Sequence, residues 1–343
     1  MNKKILITGG AGFIGSNFIH YLLKNTDYEI LNLDALTYAG NLENLRNVKD
    51  DKRYGFIKCD IRIKDDLKKV FAENEFYGVI NFAAESHVDR SILEPAVFID
   101  TNVKGTLNLL QMSLEARVSR FLQISTDEVY GELENAEDKP FTENSQIKPN
   151  SPYAASKAAS DLLALSFMRT YKMDVIVTRC SNNYGPYQFP EKLIPLIIYK
   201  ALKNEKLPVY GDGLNVRDWI HVDDHSKGVL LAFEKGESGS VYNIGSRNEK
   251  KNIDLVKEIL SMLNRSENLI EFVKDRPGHD RRYAINPSKI EKELGFFSEH
   301  DFTKSLKETI EWYKNNSPWV EDCTSGAYME YYEKNYKHKM EGE

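Results

Sequence analysis

The sequence predicts an α/β protein of the Rossmann type: a doubly wound parallel sheet joined to a smaller, mixed α/β second domain. Three observations carry this. In the first half, short apolar runs alternate with helix-length amphipathic stretches, the rhythm of a parallel sheet covered on both faces. A glycine-rich turn joins the first apolar run to the first helical stretch. After about residue 183 the rhythm breaks into prolines, aromatics and short strand signals.

Taken in order, "KKILITG" reads as a buried strand and Phe13 to Lys24 as the helix behind it. "EILNLD", "YGFIKCD", "YGVINFAA", "RFLQIST" and "MDVIVTRC" read as the second to sixth strands. Between them "IKDDLKKVFAEN" and "TNVKGTLNLLQMSLEA" are helical, the latter with Val103, Leu107, Leu110 and Leu114 at helical spacing. The helix after Tyr153 carries an apolar face with Leu162, Leu165 and Met168. Both helices are expected on the sheet, and a surplus apolar stripe would also suit a homodimer. Further on, "NNYGPYQFPEKLIP" is loop-like and "PVYGDGLNVRDWIHVDD" has short strand and turn signals. "HSKGVLLAFEKG" reads as a helix, "SVYNIGS" as a strand and "NIDLVKEILSMLN" as an amphipathic helix. The Tyr-rich tail "YMEYYEKNYKHKMEGE" is expected as a helix or a partly ordered terminus. The expected division is 1–182 for the dinucleotide-binding domain, with a returning segment near 214–240, and 183–343 for most of the second domain.

Composition narrows the class. The 343 residues are 41% hydrophobic and 29% charged, which suits a soluble protein of about two domains. A net charge of -6 leaves no basic footprint for nucleic acid, so an anionic ligand must meet local cations. Cys59, Cys180 and Cys323 are far apart and odd in number, with neither disulfide nor zinc spacing; a reducing, cytoplasmic setting is expected. The start, "MNKKILITGGAGFIG", places lysines before an apolar run as a secretory leader does, but its glycines and the lack of a cleavage site argue against one. The longest apolar run, "KLIPLIIYKAL", is broken by Pro195 and Lys200 and is too short to span a membrane.

"TGGAGFIG" places Gly9, Gly12 and Gly15 between strand and helix. Glycines there permit a tight turn and close approach of a diphosphate, and the helix start supplies amide donors. Asp34 ends the second strand, 19 residues after Gly15, where a carboxylate binds both ribose hydroxyls and repels a 2'-phosphate; this favours NAD over NADP. Against it stands the plainer reading of Asp34 as a turn residue. Asp60, after the third strand, is a second candidate near the adenine.

"ISTDEVYG" presents two acids, Asp127 and Glu128, at the end of a buried strand. Ser125 with Glu128 also fits a helix capping box, the bland explanation. "SPYAASKAASD" sets Tyr153 and Lys157 on one helix face, four apart, with Pro152 at the helix start. A lysine cation beside a tyrosine favours the phenolate, which can take a hydroxyl proton while a hydride leaves the same carbon.

With these motifs the sequence resembles the extended short-chain dehydrogenase/reductase family over nearly its whole length. "AAESHVDRS", "STDEVYG", "CSNNYGP", "NVRDWIHVDD" and "DRPGHDRRY", in this order, narrow the resemblance to its dTDP-glucose 4,6-dehydratases. The resemblance implies oxidation at carbon 4 of the sugar, elimination of water across carbons 5 and 6, and hydride return to carbon 6, with NAD regenerated. It implies that Tyr153 takes the carbon-4 hydroxyl proton, that Lys157 steadies the phenolate and the nicotinamide ribose, and that Thr126 orients the carbon-4 oxygen. Glu128 is the implied base at carbon 5 and Asp127 the implied acid at carbon 6.

The implied cofactor shell comprises Phe13 and Ile14 in the diphosphate turn, and Asp34, Ala35, Leu36 and Thr37 at the adenosine. Asp60 and Ile61 flank the adenine. Phe82, Ala83, Ala84, Glu85 and Ser86 pass beneath the cofactor, and Thr101 and Asn183 complete the shell. The implied nucleotide-sugar shell comprises Ser86, Thr126, Asn182, Lys192, Leu193, Pro208, Val209 and Tyr210. Arg217, Asn252, Asp275, Arg276, Pro277, Gly278 and His279 complete it, with Arg217 and Arg276 as cations for the diphosphate. His87 is expected to position rather than to catalyse. His221 and His225 flank Asp223 and Asp224 in an H-x-x-x-H pattern, but the pattern starts in a strand-like segment and the implied reaction needs no metal, so none is expected. A 4-epimerase or decarboxylase of the same fold, or a dehydratase of another nucleotide sugar, are the alternatives.

Overall fold

The computed structural model describes residues 3–325. The Tyr-rich tail therefore lies outside the described residues.

Twelve strands form, β1 (Lys4–Thr8), β2 (Glu29–Asp34), β3 (Tyr54–Lys58), β4 (Gly78–Asn81), β5 (Arg120–Thr126) and β6 (Val175–Cys180), then β7 (Asn182–Tyr184), β8 (Leu207–Tyr210), β9 (Val216–His221), β10 (Val241–Ile244), β11 (Glu249–Lys251) and β12 (Ile270–Val273). The helices are α1 (Phe13–Asn25), α2 (Lys64–Glu73), α3 (Val88–Leu93), α4 (Pro95–Phe98), α5 (Thr106–Glu115) and α6 (Pro152–Tyr171), then α7 (Leu193–Leu202), α8 (Val222–Lys235), α9 (Asn252–Met262), α10 (Ser288–Leu294), α11 (Phe302–Asn315) and α12 (Ser317–Thr324).

Seven strands make one parallel sheet in the order β10-β6-β5-β4-β1-β2-β3. Its central strands read as continuous apolar runs because helices cover both faces. One face packs Phe18, Ile19 and Leu22 of α1 with Leu230 and Phe233 of α8. The other packs Leu67 and Val70 of α2 with Leu109 and Leu110 of α5 and Phe167 of α6. A third core joins α7, α9 and α11 around Ile194, Ile197, Leu255, Leu306 and Trp219. The sheet order turns back between β1 and β4, and a crevice opens outside the carboxyl ends of the strands at that point.

The chain returns to the main sheet through 222–244, not 214–240. β9 pairs instead with β7 and β11 in a three-stranded sheet, whereas α8 packs on α1 and β10 pairs with β6. Ile290 and Leu294 of α10 join the same core.

Two helix expectations change. The stretch from residue 99 opens as a π turn, Ile99–Gly105, before α5 begins. In α5, Leu110 is buried with Leu109 and Met112, and the expected Leu107 and Leu114 pack half-buried against the same core, while Val103 lies in the π turn. Leu162 of α6 points outward at 57% exposure; the helix buries Ala158, Ala164 and Phe167 instead.

Candidate active site

The first turn after β1 is built for close approach. Gly9 has φ +70°, and a Cβ there would lie 2.6 Å from the Ala83 nitrogen. A Cβ on Gly15 would lie 2.3 Å from the Gly9 carbonyl oxygen. Gly12 caps α1 without a side-chain hydrogen bond, so the helix start keeps its amides for an anion. Asp34 closes β2, accepting from the amides of Ala11 (2.9 Å) and Leu36 (2.8 Å). Burial raises its pKa and these two bonds partly offset that. Asp60 is gripped by Arg62, whose Nη2 donates at 2.6 Å.

These groups open onto a cavity of about 310 Å³ at the carboxyl ends of the sheet. Its walls include Gly9, Gly12, Phe13, Ile14, Gly15, Asp34, Ala35, Thr37, Asp60 and Ile61. Phe82, Ala83, Ala84, Glu85, Ser86, Thr101, Asn182, Asn183 and Lys192 continue the lining. Leu36 stays outside the cavity wall and serves through its amide on Asp34. The buried Oδ1 of Asn183 and Oε1 of Gln188 have no hydrogen-bond partner among the described residues, an arrangement that suits a polar ligand in this cavity. The π turn fixes the wall: Asn102 accepts from the Glu85 amide at 2.9 Å and donates to the Glu85 carbonyl at 3.0 Å and to the Ser156 hydroxyl at 2.8 Å.

Thr126, Glu128, Tyr153 and Lys157 meet at one end of this cavity. Thr126 ends β5 and caps the short 3-10 turn Asp127–Tyr130, its hydroxyl accepting from the Glu128 amide at 3.3 Å and donating to Asp127 Oδ1 at 3.3 Å. The capping box expected of Ser125 does not form: its hydroxyl donates to Asp161 at 2.9 Å. Ser151 caps α6 through the Ala154 amide, and Pro152 at the helix start places Tyr153 in the first turn. Lys157, one turn on, donates to the Ile124 carbonyl at 2.7 Å. Asp127 is buried, and its Oδ2 has no hydrogen-bond partner among the described residues.

The second domain's groups come next to this end. Arg217 of β9 lies over the Tyr283 ring at 4.3 Å and donates to the Asp280 carbonyl at 2.9 Å. Arg276 donates to Asp89 at 2.9 Å, and Tyr210 donates to the same carboxylate at 3.2 Å. His279 pairs with Asp275 at 2.6 Å. Lys192 donates to the Ser86 carbonyl at 3.0 Å. Asn252, whose buried Oδ1 has no hydrogen-bond partner among the described residues, begins α9. Asp127, Tyr210, Arg217, Asn252, Asp275, Arg276 and His279 lie outside the cavity wall, as do Leu193, which starts α7, Pro208 and Val209 in β8, and Pro277 and Gly278 after Arg276.

The family model described as GDP-mannose 4,6 dehydratase matches residues 6–309. A dTDP-glucose 4,6-dehydratase of Shigella flexneri is 48% identical over 97% of this chain and 99% of its own. One of Neisseria meningitidis serogroup B is 47% identical over 95% of this chain and 97% of its own. The chain belongs to the dTDP-glucose 4,6-dehydratase family. The crystal structure of a dTDP-glucose 4,6-dehydratase from Streptomyces venezuelae, with NAD and TYD bound, superposes with a TM-score of 0.90 at 46% identity, covering 93% of this chain and 99% of that one. A UDP-glucose 4-epimerase of Thermotoga maritima superposes at 0.85 with 30% identity, covering 92% of this chain and 99% of that one, so the fold spans both chemistries.

Electrostatics separate the two acids of this family member. Burial raises the Asp127 carboxyl well above the usual range, and the charge of Glu128 raises it further. Burial raises Glu128 too, but Arg276, Arg217 and Lys192 pull it back. Burial thus raises both carboxyls, and Glu128 faces the larger set of opposing cations. Burial, then the Glu128 charge, hold the Tyr153 phenol well above its ordinary value. Burial lowers the Lys157 ammonium, with Asp161 opposing.

Several wall residues were not singled out from the sequence: Arg62, Gly40, Gln188, Phe189 and Glu191. The last three sit in "NNYGPYQFPEKLIP", and nothing in that stretch alone marks Glu191 as buried. His87 caps α3 through the Arg90 amide, with its Nε2 3.7 Å from Glu191; burial, then Lys192, lower it to about 3. His225 is fully buried in α8, away from any ligand set. His221 stacks on His300 at 4.2 Å beside Asp223, and ligand atoms of the three lie within 4.8 Å. Stacked rings send their in-plane lone pairs along parallel planes, so the two imidazoles do not converge on one ion.

Proposed function

We infer that this chain catalyses the dehydration of dTDP-glucose to dTDP-4-keto-6-deoxyglucose as an NAD-dependent hydro-lyase. The observation that carries the reading is the adjacent acid pair Asp127 and Glu128 after β5, both raised by burial and Glu128 opposed by Arg276, Arg217 and Lys192, at the cavity end that Thr126, Tyr153 and Lys157 also line. A 4-epimerase has no use for such a pair, because it eliminates nothing at carbon 6.

When bound, NAD supplies the hydride acceptor at carbon 4 and the hydride donor at carbon 6. The chain's own residues do the proton work. Tyr153 takes the carbon-4 hydroxyl proton, and Thr126, at the same strand end, holds that oxygen in line. Lys157 stands one helical turn behind the phenol with its ammonium on the Ile124 carbonyl, and it would hold the nicotinamide ribose of a bound NAD. The carbon-4 ketone acidifies carbon 5, and Glu128 removes that proton. Asp127, whose carboxyl burial raises, gives its proton to the departing carbon-6 hydroxyl. The turn at Gly9–Gly15 holds the diphosphate of NAD and Asp34 its adenosine ribose. Arg217 and Arg276 meet the diphosphate of the nucleotide sugar.

On this reading residues 1–182 with the returning segment hold most of the cofactor, joined by Asn183 to Lys192 at the cavity wall, and most of the rest holds the sugar nucleotide. Leu162 is an exposed apolar residue on α6, and with Ile99, exposed on the π turn, it is a candidate contact for a homodimer. Three buried free cysteines suit a reducing cytoplasm, and among the described residues no helix is long and apolar enough to cross a membrane. A 4-keto-6-deoxy sugar nucleotide feeds deoxysugar synthesis, such as dTDP-rhamnose for polysaccharide.

The test is incubation of the purified protein with dTDP-glucose, UDP-glucose and GDP-mannose separately. The reading expects a 4-keto-6-deoxy product from dTDP-glucose without net consumption of NAD. Stoichiometric NADH release, a carbon-4 epimer, or turnover of only another nucleotide sugar contradicts it.

A further inference from the structure

Two loops that line the cofactor cavity are joined by a hydrogen bond. The loop after β2 lines the cavity with Thr37, Ala39 and Gly40; the loop before α7 lines it with Gln188, Phe189, Glu191 and Lys192. Tyr38 stands on the first and donates from its phenol to Glu191 Oε1 on the second at 2.9 Å. The Tyr38 ring meets Phe189 edge-on at 5.7 Å, and the Arg90 guanidinium covers it at 4.1 Å. The Glu191 side chain is only 6% exposed, a costly place for a carboxylate that does no more than decorate a loop.

Both loops are anchored away from this contact. Asn41 donates from its amide to the Ala11 carbonyl at 3.0 Å, tying the first loop to the glycine-rich turn. Tyr313 donates to the Gln188 carbonyl at 2.6 Å, tying the second to α11. The Tyr38–Glu191 bond thus links two fixed walls rather than two free ends. Asp34 and Asn183 line the same cavity as both loops, and a bound dinucleotide would share it with them.

We propose that Tyr38 and Glu191 form a latch across the cofactor cavity that sets how slowly NAD leaves. The proposal rests on the NAD-dependent reading above and gives it a physical consequence. A reaction that takes a hydride at one carbon and returns it at another fails whenever the reduced cofactor escapes between the two steps. A latch on the cofactor prevents that loss without touching the sugar.

The test is NAD exchange, not turnover. Wild type, Tyr38→Phe, Glu191→Ala and the double variant are loaded with radiolabelled NAD and chased with excess unlabelled NAD. Tyr38→Phe keeps the ring between Arg90 and Phe189 and removes only the hydroxyl, so it preserves the packing. Each single variant is expected to release label about tenfold faster, the factor carried by one hydrogen bond to a charged group. The double variant is expected to be no faster than either single one, since both remove the same bond. Release from Tyr38→Phe at the wild-type rate, or effects that multiply in the double variant, would overturn the latch while leaving NAD binding intact. A wild-type protein that takes up no labelled NAD would overturn the NAD-dependent reading and the latch with it.

Discussion

The Lys157 ammonium donates to the Ile124 carbonyl at 2.7 Å, tying the helix that carries Tyr153 to the strand that ends in Thr126. That bond sets the two halves of the site, proton acceptor and acid pair, in one frame. Replacement of Lys157 by Met keeps the stem and removes the charge. The rate of carbon-4 oxidation, followed as NADH absorbance in a single turnover, is expected to fall about 10²- to 10⁴-fold, the span of a positioned acid–base group. A fall of less than about tenfold would detach Lys157 from the proton step.

Glu128→Gln separates the chemical steps. It removes the proposed base for carbon 5 and leaves Tyr153 and Lys157 in place. Carbon-4 oxidation is expected to proceed with NADH accumulating, while release of water at carbon 6 stops. Normal dehydration by this variant, assayed by the alkaline chromophore of the keto product, would remove Glu128 from the role of base.

Asp127 carries the pH dependence of elimination. Its raised pKa, caused first by burial and then by Glu128, keeps the acid form present above the ordinary carboxylate range. Elimination is expected to decline as pH rises through that raised value. Asp127→Asn lowers elimination and loses this alkaline limb, because an amide has no such proton to yield. An unchanged limb in the variant would assign it to another group.

Gly15→Ala tests the cofactor turn by sterics alone. The added Cβ would sit 2.3 Å from the Gly9 carbonyl oxygen, so the turn must open. The variant is expected to lose NAD on gel filtration, read from the ultraviolet spectrum of the denatured supernatant. Full NAD occupancy would show that the turn tolerates a side chain and does not grip the diphosphate.

His300 offers a stability test outside the site. Its Nδ1 meets Asp224 at 2.9 Å, and Asp223, Glu308 and the stacked His221 ring are the other groups that bear on it. The Asp224 bond raises its pKa. A histidine raised in the folded state stabilises fully below the usual value and loses that contribution as pH rises through the folded value. The wild-type advantage over His300→Gln in urea midpoint is therefore expected to be largest near pH 6 and to shrink towards pH 9. An advantage that grows with pH would contradict the pairing.

The order of the first six strands and the joining of Gly15, Asp34, Tyr153 and Lys157 were legible because each follows from local rules: apolar runs, glycine in a tight turn, i and i+4 on one helix face. The π turn at Ile99–Gly105 was not, since its cause is the tertiary demand of Asn102 on Glu85 and Ser156. Leu162 read as core because amphipathic spacing cannot tell a face that meets the sheet from one left outside. Glu191 was missed because its burial depends on Tyr38, more than 150 positions away. The nucleotide-sugar shell was legible only through resemblance, since Tyr210, Arg217 and Arg276 are brought near one another by the second domain's packing and by no spacing in the chain.

The central claim is that one site takes a hydride from carbon 4 and returns it to carbon 6. The most direct measurement uses dTDP-glucose carrying deuterium at carbon 4, with the product read by mass spectrometry and NMR. The account predicts that the deuterium appears in the carbon-6 methyl group of the keto product, with one solvent hydrogen exchanged at carbon 5. Deuterium retained at carbon 4, or lost to solvent while a 4-keto-6-deoxy product forms, would contradict it.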